Sequence, residues 1–498
     1  MVALLCIGYF SCILGIIVRF VRPTSELDAK KDGAAKMSSH KEAQTFEQAK
    51  EVYLAPTSAR ERLGMLFDGG VFTEIDPYSS VDGQPCGVVC GYGAVNGRYA
   101  CAFAQEGGGM GKMQAAKISK LLDLALKTGV PVVGMYDSLG ARVAEGVAAL
   151  EAYGEVLLRI NNLSGIVPQI ALVLGGCTGA SAMLACSADF VVMSKNATFF
   201  MTPPALAENE VESVGSSENA AKAGVAHLVA ETDRQAGEYA RRLLSFLPLN
   251  NLSPCLPLAH KAPESKEPHD YGNLDPTYQA QSIMDVGSLL ELMGGFGGSA
   301  YTAFGRLGGA PVCVVGTKDK LDADGCAKIA KMVSVCDAFQ VPIITLVNCS
   351  GFAPCAKAEL CGSVREMARL GHVYAEATTA KAAVITGKAY GAAYIALAGR
   401  AANCDYTIAW PTATISTLEP QAAVALLHAD EISAQRSRED ILQDYLSGAA
   451  NPLTAAKAGY LDDVVSPEQT RAALLSAMDL LSAKRVQKNP KKHSNLPM

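Results

Sequence analysis

Apolar positions along this chain follow two periods in turn. Ile118, Leu121, Leu122 and Ala125 recur at the three-to-four-residue spacing of a helix with one buried face. A short apolar run, Val130 to Met135, predicts a strand covered on both sides, and a turn rich in glycine and serine closes it. A second apolar strand, Gln169 to Leu174, runs into Gly175-Gly176-Cys177-Thr178-Gly179-Ala180, where the pattern predicts a turn and the start of a small-residue helix. The same succession returns as a strand from Ala382 to Thr386 followed by Gly387-Lys388-Ala389-Tyr390-Gly391-Ala392-Ala393. Strand, glycine turn, helix, strand predicts βαβ crossovers and largely parallel sheets, hence an α/β architecture.

The recurrence is an internal repeat. Ala116-Lys117-Ile118-Ser119-Lys120-Leu121 is similar to Ala327-Lys328-Ile329-Ala330-Lys331-Met332, Gly129-Val130-Pro131 to Gln340-Val341-Pro342, and Asp137-Ser138-Leu139-Gly140 to Asn348-Cys349-Ser350-Gly351, always 211 residues apart. A constant offset of this length predicts duplication of a whole domain, because solenoid repeats have much shorter periods. Prolines and polar residues over 248–275 predict a linker between the copies. The expected organisation is an N-terminal segment over 1–36, one domain over 37–262 and a second over 263–498. The basic tail from Lys484 to Met498 is expected to fray.

Composition adds exclusions. The net charge of −6 over 498 residues carries no basic stripe, which argues against a nucleic-acid partner. The 15 cysteines are scattered and odd in number, which predicts buried reduced thiols. Cys86 and Cys90 have no second pair and no nearby histidine to complete a zinc set, so no metal site is expected. Residues 2–18 are uncharged and Arg19 and Arg22 follow, a polarity that would anchor the chain with its body on the cytoplasmic side. The alternative is a true start at Met37.

A strand that ends in glycines and restarts as a helix leaves backbone N–H groups unpaired, and these favour a developing negative charge. Small residues are needed where a ligand must reach the backbone, although they also serve simple close packing. Asp137-Ser138-Leu139-Gly140-Ala141-Arg142-Val143-Ala144-Glu145-Gly146 resembles the stretch Ser-Gly-Gly-Ala-Arg-Ile-Gln-Glu-Gly of carboxyltransferase subunits of biotin-dependent acyl-CoA carboxylases and sodium-pumping acyl-CoA decarboxylases. Ala59-Arg60-Glu61-Arg62-Leu63, Gly224-Val225-Ala226-His227, Leu321-Asp322-Ala323-Asp324, Gly351-Phe352-Ala353-Pro354, Ala375-Glu376-Ala377-Thr378 and Ala409-Trp410-Pro411-Thr412-Ala413 resemble further signatures of that family, in family order.

The resemblance implies two tandem crotonase-like (ClpP/crotonase) domains. It implies that the N-terminal half holds a CoA thioester, with the carbonyl oxygen at Gly179 and Ala180 and with Gly140, Ala141, Arg142 and Gly176 lining the acyl-CoA site. The C-terminal half would hold carboxybiotin at Ala392 and Ala393, with Gly351, Phe352, Gly391, Tyr394 and Ile395 around the biotin and acyl pocket. Biotin itself would be the base, which suits a chain whose seven histidines find no nucleophile partner; His227, in an apolar setting, reads as a packed structural residue. Leu139, Ala180, Ala392 and Ile395 depart from the family pattern and leave the acyl group open. With no Ala-Met-Lys-Met stretch and no ATP-binding region, the resemblance implies partners: a biotin carboxyl carrier protein, a biotin carboxylase or membrane decarboxylase subunit, and further copies of this chain, in a hexamer. The apolar N-terminus favours decarboxylation of a methylmalonyl-, malonyl- or glutaconyl-type CoA. A forward acetyl- or propionyl-CoA carboxylase is the alternative, and a biotin-independent hydratase or a non-catalytic scaffold are more distant ones.

Overall fold

The computed structural model describes residues 45–202, 214–264, 272–353, 356–360, 362–433, 435–488, 490, 491, 493–495 and 497. The apolar run 2–18 lies outside them, and among the described residues no helix is long and apolar enough to cross a membrane. Compactness separates Met1–Ala55 from Pro56–Met498. In the smaller unit, the helix Phe46–Tyr53 starts in a capping box between Thr45 and Gln48.

The larger unit carries two sheets of the same plan. The first contains β1 (Phe72–Ile75), β4 (Val88–Val95), β5 (Arg98–Gln105), β6 (Val132–Ser138), β7 (Gln169–Thr178), β8 (Phe190–Ser194) and β10 (Leu228–Ala230) in that spatial order, with β9 (Thr198–Phe200) on the end of β7. A two-stranded ribbon, β2 (Ser80–Val81) and β3 (Gln84–Pro85), stands apart. The second sheet contains β11 (Leu290–Glu291), β12 (Ala300–Leu307), β13 (Ala310–Thr317), β15 (Ile343–Phe352), β16 (Lys381–Tyr390), β17 (Tyr406–Ala409) and β19 (Asp463–Val464). There β14 (Asp319–Leu321) joins β15, and β18 (Thr414–Ser416) joins β16. In each sheet the first three strands are antiparallel and the rest parallel.

The helical pattern read from Ile118, Leu121, Leu122 and Ala125 is the buried face of the helix Lys112–Thr128. Its end is set by Gly129 in the left-handed region at φ 63°, with Val130 N–H still bonded to Ala125 O. Pro131 has no N–H to offer a ladder, so β6 begins at Val132, two residues after the expected start.

The glycine turns also differ from expectation. Gly175, Gly176 and Gly387 lie inside β7 and β16, which run straight on to Thr178 and Tyr390. Gly175 is glycine because the Asp137 carboxylate crosses it: a Cβ there would stand 2.3 Å from Asp137 Cγ. Asn348 crosses Gly387 in the same way, with Oδ1 2.5 Å from such a Cβ. The turns come later, at Gly179 (φ 57°) and Gly391 (φ 54°).

One apolar core contains residues of both sheets. Phe304 of β12 meets Phe246 in a stack at 5.5 Å and the edge of Phe190 in β8 at 5.7 Å. Backbone joins them too, since Met293 N–H donates to His227 O at 2.8 Å. Between the sheets, the irregular segment before residue 264 is tied down, with Leu258 N–H on Gly309 O at 3.0 Å. The described part of the basic tail is held as well. Lys484 pairs with Asp405 at 2.7 Å, and Lys488, Lys491 and Ser494 converge on Glu376, whose carboxyl these partners lower to about 2.

Candidate active site

The first cluster of expected site residues forms at the adjacent ends of β6 and β7. After Ser138 the chain turns through Leu139, Gly140, Ala141 and Arg142. Gly140 sits at φ 97°, and a Cβ on it would lie 3.4 Å from Thr178 O, so this loop rests against the end of β7. Gly176 passes beneath Leu139. The chain then bends at Gly179, which holds φ 57° and ψ −123°, and enters the helix Ala180–Cys186.

Hydrogen-bond bookkeeping identifies the free donors. Gly179 N–H is used, donating to Phe200 O at 3.0 Å. Gly140 N–H reaches Ser138 Oγ at 3.3 Å, and Arg142 N–H donates to Met110 O at 2.9 Å. Ala141 N–H and Ala180 N–H, one on each arm, have no acceptor among the described residues. Two free N–H groups, one on each of these adjacent strand ends, are able to donate to an anionic oxygen. Beside them is a cavity of about 140 Å³ lined by Gln105, Gly107, Gly108, Met110, Ser138 and Arg142.

Arg62 anchors this region. Its guanidinium donates to Asp137 at 2.9 Å, to Gln105 O and Leu174 O at 3.2 Å each, and to Asp233 at 3.3 Å, tying the ends of β5 and β6 to the middle of β7. The sequence marked Arg62 only as part of a family signature. Tyr153 and Ser181 carry no signal in the sequence, since a buried hydroxyl leaves no periodic trace. Tyr153 OH lies 2.6 Å from Ser181 Oγ, two residues past the bend at Gly179.

The second cluster repeats the plan on the other sheet. Gly351 and Phe352 end β15, with Gly351 at φ 128° and open space where a Cβ would be. Gly391, Ala392, Ala393, Tyr394 and Ile395 form the first turns of the helix Gly391–Leu397. As Gly179 does beside β9, Gly391 follows the last β16–β18 pair, Tyr390 with Ser416, whereas the Ala392 and Ala393 N–H groups have no acceptor among the described residues. A Cβ on Gly391 would come 3.3 Å from Thr417 O. Ala393 is buried, whereas Ile395 is 60% exposed and presents an apolar wall to solvent.

His227 is structural. It is 7% exposed, its Nδ1 accepts Val191 N–H at 2.7 Å, and burial, helped by the charge of Lys331, lowers its pKa to about 3. Cys86 and Cys90 are free buried thiols, and among the described residues no group of three or more His, Cys, Asp or Glu side chains could hold a metal ion.

Comparison with known proteins gives the chain's family and fold. The carboxyl transferase domain family matches residues 56–496. The chain is 36% identical to the propionyl-CoA carboxylase beta chain of Saccharopolyspora erythraea, over 90% of this chain and 92% of that one. It is 34% identical to the methylmalonyl-CoA decarboxylase subunit alpha of Propionigenium modestum, over 89% and 93%. Its fold is similar to that of transcarboxylase 12S, solved as a hexamer with methylmalonyl-CoA bound, at a TM-score of 0.83, 30% identity, and coverage of 96% of this chain and 100% of that one.

Proposed function

Because this chain belongs to the carboxyl transferase domain family, we propose that it moves a carboxyl group between biotin and the α carbon of a short malonyl-type CoA thioester, using the two strand-end clusters as its two oxyanion holes. The observation that carries the site assignment is the pair of unsatisfied donors, Ala141 N–H and Ala180 N–H, on adjacent strand ends.

In this reading the N-terminal half, 37–262, takes the thioester. Losing or gaining a carboxyl group at the α carbon passes through an enolate, whose charge rests on the former carbonyl oxygen. Ala141 and Ala180 donate to that oxygen, and fixed donors in a confined site stabilise it without reorganisation. The second half, 263–498, takes biotin. Its residues suit a ureido oxygen: first-turn N–H groups without acceptors, and a Gly391 whose Cβ would crowd Thr417. When bound, biotin supplies the nitrogen that carries the carboxyl group and serves as base for the α proton. Gly351 keeps the approach open, and Phe352, Tyr394 and Ile395 offer apolar surface to the acyl group. The same site runs in either direction, and both kinds of relative are represented.

The working assembly then includes a biotin carrier, a biotin carboxylase or membrane decarboxylase subunit, and further copies of this chain, as in the transcarboxylase hexamer. Residues 2–18 would tether it to a membrane, which suits decarboxylation coupled to a membrane partner. Deleting 2–18 is expected to move the protein from the membrane pellet to the supernatant of fractionated cells; an unchanged distribution removes the tether.

Ala180→Pro tests the site. Proline is accepted at the first position of a helix and deletes the one N–H in question. Carboxyl transfer between methylmalonyl-CoA and free biotin is expected to fall by roughly 10²–10³-fold with circular dichroism unchanged. Wild-type turnover in this variant would refute the assignment, and hydration of crotonyl-CoA without biotin would favour a hydratase instead.

A further inference from the structure

Resting on the reading of Ala141 and Ala180 as the thioester donors, we propose that Tyr153 is a positioning residue whose hydroxyl braces the loop after β6 to the helix after β7 and so fixes the two donors relative to each other. Strand pairing alone does not do this. The β6–β7 ladder loses register between Tyr136 and Ser138, and Ser138 opposite Cys177 is its last pair. Beyond it the two arms separate, one into the loop from Leu139 to Arg142 and the other into the helix Ala180–Cys186.

Tyr153 comes from a third element, the helix Val147–Leu163. Its OH lies 2.6 Å from Ser181 Oγ and 3.5 Å from Ser138 Oγ. Ser138 Oγ in turn accepts Gly140 N–H at 3.3 Å and reaches Gly108 O at 3.2 Å. Ser181 directly follows the donor Ala180, and Gly140 directly precedes the donor Ala141. One proton order satisfies the whole chain: Ser181 donates to Tyr153, Tyr153 to Ser138, and Ser138 to the Gly108 carbonyl.

The brace is dry. Tyr153 is 3% exposed, Ser138 2% and Ser181 0%, so removing one hydroxyl leaves its neighbours without water as a substitute. Burial also raises the phenol's pKa and keeps it an O–H. If packing were its only task, phenylalanine would serve equally well. Oxyanion donors need placement to within about 0.5 Å, so slack between the arms harms the transition state before it harms thioester binding.

The test is Tyr153→Phe in the full chain, assayed with methylmalonyl-CoA and free biotin. Expected is a fall in kcat of about tenfold, less than for outright loss of a donor, with KM for the thioester within about twofold and KM for biotin unchanged. Ser181→Ala should lose activity to a similar degree. The double variant should be no worse than Tyr153→Phe alone, because both changes cut one chain. Wild-type kcat in Tyr153→Phe, additive losses in the double variant, or a rise in KM without loss of kcat would overturn the brace. Ala180→Pro separates the two claims. If it is inactive while Tyr153→Phe is wild-type, the hole stands and the brace falls; if Ala180→Pro is itself wild-type, both fall.

Discussion

At the scale of single residues, burial decides chemistry that residue type leaves open. His227 shows the sign of the effect. Its imidazole is held neutral, with the pKa lowered to about 3 against an ordinary 6.5, because its site is buried and feels the charge of Lys331. The unfolded chain therefore binds a proton between those values that the folded chain refuses. Stability from this residue is present in full above pH 6.5 and drains away as pH falls toward 3, by up to about 1.4 kcal/mol for each pH unit. Denaturant melts between pH 7.5 and 5 should show this slope in the wild type and a shallower one in His227→Gln. Equal slopes would mean the ring is not buried neutral. The apolar sequence around His227 made that role legible. The free N–H groups were legible only in outline: glycine and alanine marked the bends, but whether Gly179 or Ala180 keeps its donor depends on Phe200, which arrives from β9, a strand the sequence did not announce.

At the scale of elements, the repeat fixed the plan and side chains fixed the boundaries. Helix and strand types follow from periodicity, and the 211-residue offset reappears as two sheets of matching strand order. The misread glycines have a common cause. In a sequence, Gly175 and Gly387 are indistinguishable from turn formers, yet each is a strand residue cleared so that Asp137 or Asn348 can cross it. Asp137 needs that room to meet Arg62, while Asn348 Oδ1 accepts Lys388 N–H at 3.1 Å. Gly175→Ala should therefore push Asp137 off Arg62, cost about 1–3 kcal/mol of stability and reduce carboxyl transfer. The comparison is Gly154→Ala, where a Cβ meets nothing within 4 Å on an exposed helix position. There the same substitution should raise stability by roughly 0.4–1 kcal/mol. Chemical denaturation of the two variants checks both, and equal effects would contradict the crossing geometry.

At the scale of the whole molecule, duplication raises the question of whether the two halves fold as one body or two. Sequence self-similarity suggests independent copies, each with its own core. Packing argues otherwise, because residues of both sheets share one apolar cluster and β12 places Phe304 between Phe190 and Phe246. Charge reinforces the seam: Arg306 donates to Ser245 O at 2.7 Å, and Arg242 to Leu289 O at 2.7 Å. A carboxyltransferase built this way holds the orientation of one strand-end cluster to the other through its core, a constraint that no pattern within one copy can reveal. Phe304→Ala removes the ring at the centre of that seam and should cost about 3–5 kcal/mol. Because both halves lean on the same ring, the loss should lower a single unfolding transition, seen alike by tyrosine fluorescence, which samples both halves, and by the lone Trp410, buried in the second half. Two transitions in the wild type, or a Phe304→Ala variant in which the Trp410 signal melts early while the first half is untouched, would show that the copies kept their independence.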